Sequence, residues 1–358
     1  MLKPKYGGTI MKYKAGRLFA AACLALLLTG CASGQKQENI DLGMTAIESL
    51  DYEGALTCFE TALVNNEDQE LIYRGQGIAY IGLTRYEEAA EALEKSLSCC
   101  NGYIGNLQFD TNYYLATAYY KSGDIDSAMK VYDAIIAMRE KEKTAYYLRG
   151  TLELEKGDFE KAELDFDKAI ELAPKDYNCL FDIYRSLEKN GYQEAGAVYL
   201  QEALASGEES MSEYDKGRLY YYLKDYDNAK NCLEKARDTG SAEAILFLGR
   251  TYEALGDFNY ASSVYANYLD SQPDSPQIQN QLGICKMQMG DNEAALAAFQ
   301  AGLASEDKTY MQTLKFNEIA AYEKLAQFQK ATVLMESYLE VYPDDERAKR
   351  EYEFLKTR

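Results

Sequence analysis

One spacing recurs through almost the whole of this 358-residue chain. A glycine or another small residue, a turn and a large apolar side chain stand at fixed distances from an alanine that returns every 32 to 39 residues. The nine alanines are Ala55, Ala89, Ala128, Ala162, Ala195, Ala229, Ala261, Ala295 and Ala331. A period of about 34 residues is the length of one helix–turn–helix hairpin, which buries its apolar face only by stacking on its neighbours. The sequence therefore predicts an all-α solenoid of about nine hairpins.

The neighbours of each alanine explain how such hairpins pack. Glycine stands twelve residues before it in six of the nine units, and a large apolar or aromatic residue stands four residues after it in all nine. Glycine and alanine let two helix backbones approach closely, and the large side chains fill the space between hairpins. Four units have Gly-Asp between the helices, where glycine ends one helix and aspartate caps the next. These turns begin at Gly123, Gly157, Gly256 and Gly290.

The stretch Gly150 to Pro174 combines all of these features in GTLELEKGDFEKAELDFDKAIELAP, and Gly249 to Pro273 nearly repeats them. In these features the chain resembles the tetratricopeptide repeat family over roughly residues 36–343. The resemblance implies a right-handed α-solenoid that binds segments of partner proteins on its concave face. We expect the solenoid to occupy residues 38–344 and a capping helix to occupy residues 345–358, where charged residues surround a short apolar stripe.

Two units depart from the pattern at the glycine position. Ile183 and Ile319 stand there, and a β-branched side chain at a close helix contact should push the helices apart. Units five and nine are therefore expected to differ in curvature or to be locally soft. An insertion around Cys99 and Cys100 lengthens the step between units two and three. Whether these two adjacent thiols are redox-active, bind metal or are inert stays open at this stage.

The first 30 residues form a segment of a different kind. Five cations and no acid precede or flank an apolar run from Leu18 to Leu28, which is short for a bilayer span. The run ends in Leu28-Thr29-Gly30-Cys31, which resembles the signal of bacterial lipoproteins. The resemblance implies a signal peptide over residues 1–30, a lipidated Cys31 and a short tether over residues 31–37. An ordinary signal peptide cut nearby, or a buried cysteine, is the alternative.

A lipid on Cys31 implies an extracytoplasmic protein anchored to a bacterial membrane, because two or three acyl chains anchor stably. Ala32 follows the cysteine where an aspartate would signal retention in the inner membrane. The expected location is the outer membrane if the cell has one, and otherwise the outer face of the cell membrane.

Charge narrows the class of partner. The chain carries a net charge of −20, and its first 30 residues contribute five cations and no acid, so the remainder carries −25. A body this acidic repels nucleic acid, and we expect protein partners that present neutral or basic segments. The alternative is that the acidic residues serve only solubility.

Residues that support catalysis are scarce. The chain contains no histidine, which excludes triads with a histidine base and histidine-containing metal sites. It also lacks a Gly-rich phosphate loop and an EF-hand series. Acidic pairs such as Glu87-Glu88 are expected to be solvated surface rather than a glycosidase pair. We expect no enzymatic activity, no cofactor and no metal.

The family resemblance also indicates where a partner binds. In this family the first helix of each unit lines the concave face, and the lining positions lie fifteen, eleven and eight residues before the repeated alanine. Tyrosine and arginine, which are enriched at binding hot spots, occupy several of them in the middle of this chain. The candidate contact residues are Tyr113, Tyr147, Tyr184, Tyr214, Arg218, Tyr221 and Arg250. The arginines are expected to bind a carboxylate of a partner, unless they pair with acids of this chain.

Two functions follow from this groove. The first is a membrane-tethered interaction scaffold that holds a peptide or helix of an envelope protein. The second is a lipoprotein that captures a glycan or solute on its tyrosines. The absence of tryptophan and the openness of a solenoid groove favour the first.

Overall fold

The computed structural model describes residues 37–100, 102, 105–207 and 210–358; the leader, Cys31 and nearly all of the tether lie outside these residues. The described residues form nineteen α-helices, two short 3-10 turns and no strand. The helices are α1 Glu38–Glu48, α2 Tyr52–Val64, α3 Gln69–Gly82, α4 Tyr86–Ser98, α5 Asn106–Ser122, α6 Ile125–Met138, α7 Lys143–Glu155, α8 Phe159–Leu172, α9 Tyr177–Lys189, α10 Gln193–Gly207, α11 Glu213–Tyr222, α12 Tyr226–Ala236, α13 Ala242–Ala254, α14 Phe258–Ser271, α15 Pro276–Gln288, α16 Asn292–Leu303, α17 Met311–Lys324, α18 Phe328–Val341 and α19 Glu346–Leu355.

The helices follow one another as nine hairpins, α1–α2 to α17–α18, and α19 follows as a capping helix. They are distributed over two compact units, one within Leu27–Tyr199 and one within Leu200–Arg358. Inside each unit, the second helix of a hairpin also packs against the first helix of the next, as α2 does against α3 and α14 against α15. The prediction of stacked helix hairpins with a capping helix is confirmed.

The glycine pattern marks the contact between the two helices of a hairpin. A Cβ atom built on Gly249 would lie 2.2 Å from Tyr265, four residues after the repeated Ala261, so only a residue without a side chain fits there. In the first hairpin, the Phe59 ring lies against two glycines, Gly43 of its own hairpin and Gly75 of the next hairpin. One aromatic ring thus joins two successive hairpins.

The turn inside each hairpin has one backbone conformation throughout. Its residue has a positive φ in all nine hairpins: Leu50, Thr84, Gly123, Gly157, Gly191, Lys224, Gly256, Gly290 and Ala326. In six of the hairpins an aspartate side chain then accepts a hydrogen bond from a backbone N–H three residues on, as Asp158 does from Lys161. The Gly-Asp signature therefore marks a turn that the other hairpins form with different residues.

The two isoleucines at the glycine position are accommodated inside their hairpins. Ile183 and Ile319 are 0% and 1% exposed. In the ninth hairpin, the side chain that stands four residues after the repeated alanine and faces the glycine position is the slender Met335 instead of an aromatic ring. In the fifth, Tyr199 is half-buried, and its hydroxyl donates to the Asp167 carboxylate at 2.7 Å. The facing position thus holds a slender side chain in the ninth hairpin and a tyrosine bonded to α8 in the fifth, while the expected softness of these hairpins stays a prediction.

The capping helix α19 buries Ala348 and Leu355, two residues of its predicted apolar stripe, at 0% and 2% exposure. The third, Tyr352, is half-buried, and its hydroxyl donates to Glu336 of α18 at 2.7 Å. Among the nineteen helices, none combines the length and the apolar character needed to cross a bilayer.

Candidate functional site

Five side chains on α11 and α13 lie together in the unit Leu200–Arg358, and we call them the aromatic–arginine cluster: Tyr214, Arg218, Tyr221, Phe247 and Arg250. On α11, Tyr214, Arg218 and Tyr221 follow one another at helical spacings of four and three residues, so they share one face. The structure thus brings together four of the seven residues that the sequence predicts as contacts, and adds Phe247.

Phe247 lies at the centre of the cluster. Its ring centroid is 5.4 Å from that of Tyr221 and 6.2 Å from that of Tyr214, both in edge-to-face geometry. This arrangement stabilises aromatic pairs beyond the area that they bury. Sequence reasoning missed Phe247 because it stands fourteen residues before the repeated Ala261, one position away from the lining series. Its size and position beside Leu246 were the only available signals.

Arg218 is largely satisfied within the cluster. Its guanidinium carbon lies 5.0 Å from the centre of the Tyr214 ring and 5.6 Å from that of Phe247. One of its terminal nitrogens lies 3.5 Å from the Asp215 carboxylate, and the side chain is only 11% exposed. Arg218 therefore orders the two rings, and its charge is already balanced by an acid of the chain.

Arg250 has a different environment. It is half-buried, and within the described part of the chain it has no ion-pair or hydrogen-bond partner. Burial raises the pKa of the neighbouring Tyr221 hydroxyl to about 12, although the Arg250 charge lowers it. The positive charge therefore lies close to Tyr221 without being neutralised at contact distance.

Glu253 lies one turn along α13 from Arg250 and is a second residue that sequence reasoning missed. Its Oε1 accepts a hydrogen bond from the Tyr265 hydroxyl at 2.7 Å, and both of its oxygens lie 3.2 Å from the Gln281 amide nitrogen of α15. Burial raises the pKa of this carboxyl, while the two hydrogen bonds and Arg250 lower it. Glu253 stands eight residues before Ala261, so its place in the lining series was the available signal.

The three remaining candidates lie in the unit Leu27–Tyr199. Tyr113 and Tyr184 are 7% and 1% exposed, so both belong to the packed core rather than to a contact surface. The Tyr113 ring packs edge-to-face on Phe109 with centroids 5.3 Å apart. Burial, rather than position along the helix, thus overrides the sequence-based assignment of these two tyrosines. Tyr147 is half-buried, and burial raises its pKa to about 12.

Over the described residues, no group of cysteine, aspartate and glutamate side chains is arranged to hold a metal ion. Cys99 and Cys100, at the end of α4, are both half-buried. Their redox role stays open.

Comparisons with known proteins give the chain's relatives. Models of the tetratricopeptide repeat match residues 40–104, 113–177 and 220–280. A TPR repeat-containing protein of Methanocaldococcus jannaschii is 28% identical over 204 residues, which are 54% of this chain and 35% of that protein. The BBSome complex member BBS4 of Bos taurus is 21% identical over 315 residues, which are 86% of this chain and 59% of that protein. The chain thus spans between about a third and three fifths of the length of these relatives.

The matching solved structures include a tetratricopeptide repeat protein from Parabacteroides merdae. It is 15% identical, with 80% of this chain and 98% of that chain covered and a TM-score of 0.49. Another is YrrB, described as a TPR protein with an unusual peptide-binding site. It is 20% identical, with 48% of this chain and 86% of that chain covered and a TM-score of 0.39.

The models match three separate stretches of the chain, and each stretch covers consecutive helix hairpins described above. The described helices have the size, order and turn chemistry that the repeat requires. With its all-α solenoid fold of stacked hairpins, this chain belongs to the tetratricopeptide repeat family, whose members mediate protein–protein interactions.

Proposed function

We propose that the protein is a membrane-tethered interaction scaffold that binds a segment of a partner protein at its aromatic–arginine cluster. The observation that carries this proposal is the state of Arg250. The chain has 58 acidic and 38 basic residues, yet this half-buried arginine in the lining series makes no ion pair or hydrogen bond with an acid of the described chain. A cation in that position is available to a ligand.

The chemistry of the cluster fits a peptide better than a small solute. Tyrosine and phenylalanine rings provide contact area at low entropic cost, and a guanidinium binds a carboxylate with two parallel hydrogen bonds. The rings pack edge-to-face on one another, which favours contact with apolar side chains over the flat stacking that sugars require. The acidic body favours segments that are neutral or basic overall and disfavours nucleic acid.

The tether belongs to the same proposal. A lipidated Cys31 would leave only a few residues before α1 begins at Glu38. A flexible linker of that length spans roughly 15–20 Å on average. The hairpins would then work close to the outer face of the membrane, where envelope proteins present their segments.

Crosslinking and affinity capture from the native membrane test the proposal. The wild-type protein is compared with Arg250→Glu and with the control Arg350→Glu, which reverses the charge of an exposed arginine on α19. We expect a protein that is captured by the wild type and the control and lost with Arg250→Glu, while circular dichroism shows the same helix content in all three. Equal capture by all three proteins would remove the assignment of the site.

A further inference from the structure

The helix α13 carries two opposite charges that do not pair with each other. Arg250 and Glu253 are three residues apart, a spacing that places them on the same helix face. Elsewhere in the described chain, some pairs of the same order and spacing close into ion pairs and others, such as Lys315 and Glu318 on α17, do not. Arg85 and Glu88 meet at 3.0 Å, and Lys168 and Glu171 meet at 2.8 Å. On α13 the pair stays open for a cause that is visible in the structure.

That cause is the anchoring of Glu253 away from Arg250. The carboxylate is held by the Tyr265 hydroxyl of α14 and the Gln281 amide of α15. Tyr265 is itself fixed, since it is 0% exposed and its ring lies against Gly249, where a Cβ would come within 2.2 Å. Three helices thus hold the carboxylate in place.

Both members of the pair retain unused hydrogen-bonding capacity. The Arg250 guanidinium has five N–H donors, and no described residue accepts from them. Oε2 of Glu253 accepts only from Gln281, at 3.2 Å, although a carboxylate oxygen has room for a second donor. The two groups are half-buried, which strengthens their interaction with charges brought by a ligand.

We infer that Arg250 and Glu253 form a paired recognition site for a peptide segment that carries an acidic and a basic side chain next to each other. The inference rests on the proposed function and specifies its ligand. The acidic side chain binds Arg250, and the lysine or arginine of the segment binds Glu253 beside it. Segments of uniform charge are disfavoured, because each leaves one half-buried charge of the site opposite a like charge or without a partner.

A peptide selection tests this inference. Full-length lipidated protein in detergent is immobilised, and a phage library of random peptides is panned against it. Enriched peptides are synthesised, and their affinities for wild type, Arg250→Gln and Glu253→Gln are measured by fluorescence anisotropy. The control is Glu293→Gln, which neutralises an exposed glutamate on α16.

We expect enriched peptides to contain an acidic and a basic residue close together. Glu253→Gln should weaken binding about ten- to a hundredfold, the range for loss of a hydrogen bond to a charged group. The same change should have no further effect on a peptide whose basic residue is replaced by methionine, and Glu293→Gln should leave affinity unchanged.

Two results would overturn the inference and are distinguishable from each other. Peptides that depend on Arg250 but tolerate both Glu253→Gln and loss of their basic residue would leave the proposed function standing with a simpler ligand. Failure to enrich any peptide that depends on Arg250 would remove the proposed function as well.

Discussion

At the scale of single residues, tyrosine is the main neutral partner of the carboxylates. The chain has 32 tyrosines and no histidine, and its acids outnumber its cations. Tyrosine hydroxyls donate to carboxylates in both units, in the pairs Tyr120–Glu155, Tyr199–Asp167, Tyr252–Glu234, Tyr265–Glu253 and Tyr338–Asp345. Much of the tyrosine content thus satisfies acids inside the fold. This is why a tyrosine at a lining position is a weak indicator of a binding site.

One buried carboxylate lacks such a partner, and a change there has a predictable effect. Glu153 on α7 is 6% exposed, and its Oε2 has no hydrogen-bond partner among the described residues. Burial and the nearby Asp165 charge raise its pKa from 4.5 to about 7, although Arg149 lowers it. The Arg149 guanidinium is itself engaged by Asp165 at 2.6 Å and Asp133 at 2.6 Å.

We expect Glu153→Gln to raise the free energy of unfolding at pH 8 by at most ~3 kcal/mol. In the wild type the unfolded chain loses this proton first as the pH rises from about 4.5 to about 7, so ionisation destabilises the fold in that window. Below pH 4.5 both states are protonated and the two proteins should be equally stable. Urea unfolding between pH 4 and 8 measures this, with the exposed Glu160→Gln as control. A gain that does not depend on pH would contradict the explanation.

The residues of the candidate site were only partly predictable, for a physical reason. The position of a residue along a helix decides on which face of the helix its side chain lies. Tyr214, Arg218, Tyr221 and Arg250 were identified as candidates in this way. Exposure depends on the helices that pack on that face, and these contacts are not encoded in the spacing. Tyr184 was therefore misassigned, and Phe247 was missed.

At the scale of the element, the turn between paired helices is the most regular feature. Five hairpins have glycine as the turn residue with positive φ, and the other four have Leu50, Thr84, Lys224 or Ala326 there. Left-handed backbone costs a residue with a side chain roughly 1–2 kcal/mol, and a β-branched residue is the least suited. The helices on either side therefore impose the conformation on these four residues. The sequence predicted the turn only where Gly-Asp marks it.

We expect Thr84→Gly to stabilise the protein by about 1 kcal/mol, because relief of the strained φ of 60° outweighs the extra flexibility that glycine gives the unfolded chain. Urea unfolding followed by circular dichroism measures the change. The reciprocal control is Gly157→Thr in the fourth hairpin, where a Cβ would meet no atom within 4 Å, so any loss of stability reflects the backbone alone. If neither substitution changes stability, the turn is not strained.

At the scale of the whole molecule, the period of the sequence was sufficient to predict nine hairpins, and the apolar stripe after them predicted the capping helix. Six hairpins repeat the same contact between an early glycine and a later large side chain, so these copies support the same assignment. Partner and location are properties of the surface and of the leader, and the repeat constrains neither. In the proposed function they depend on Arg250 and Cys31, which stand outside the repeated pattern.

We expect Cys31→Ala to release the protein from membranes, because the thiol that would accept the lipid is gone. Carbonate-washed membranes and the soluble fraction are compared by immunoblot, and mass spectrometry of the mature N-terminus detects the acyl chains. Cys99→Ala is the control and should stay with the membrane. If Cys31→Ala remains entirely in the washed membranes, lipid on this cysteine is not the anchor.

The uniform turn has a consequence for how such a chain changes over time. Because stacking imposes the left-handed conformation even on threonine and lysine, mutation can erase the Gly-Asp signature of a hairpin at a small cost in stability. Ile183 and Ile319 show the same tolerance at the glycine position, where both are buried. Duplicated hairpins are thus free to drift apart in sequence while they keep their geometry, and the binding residues of each copy can diversify independently.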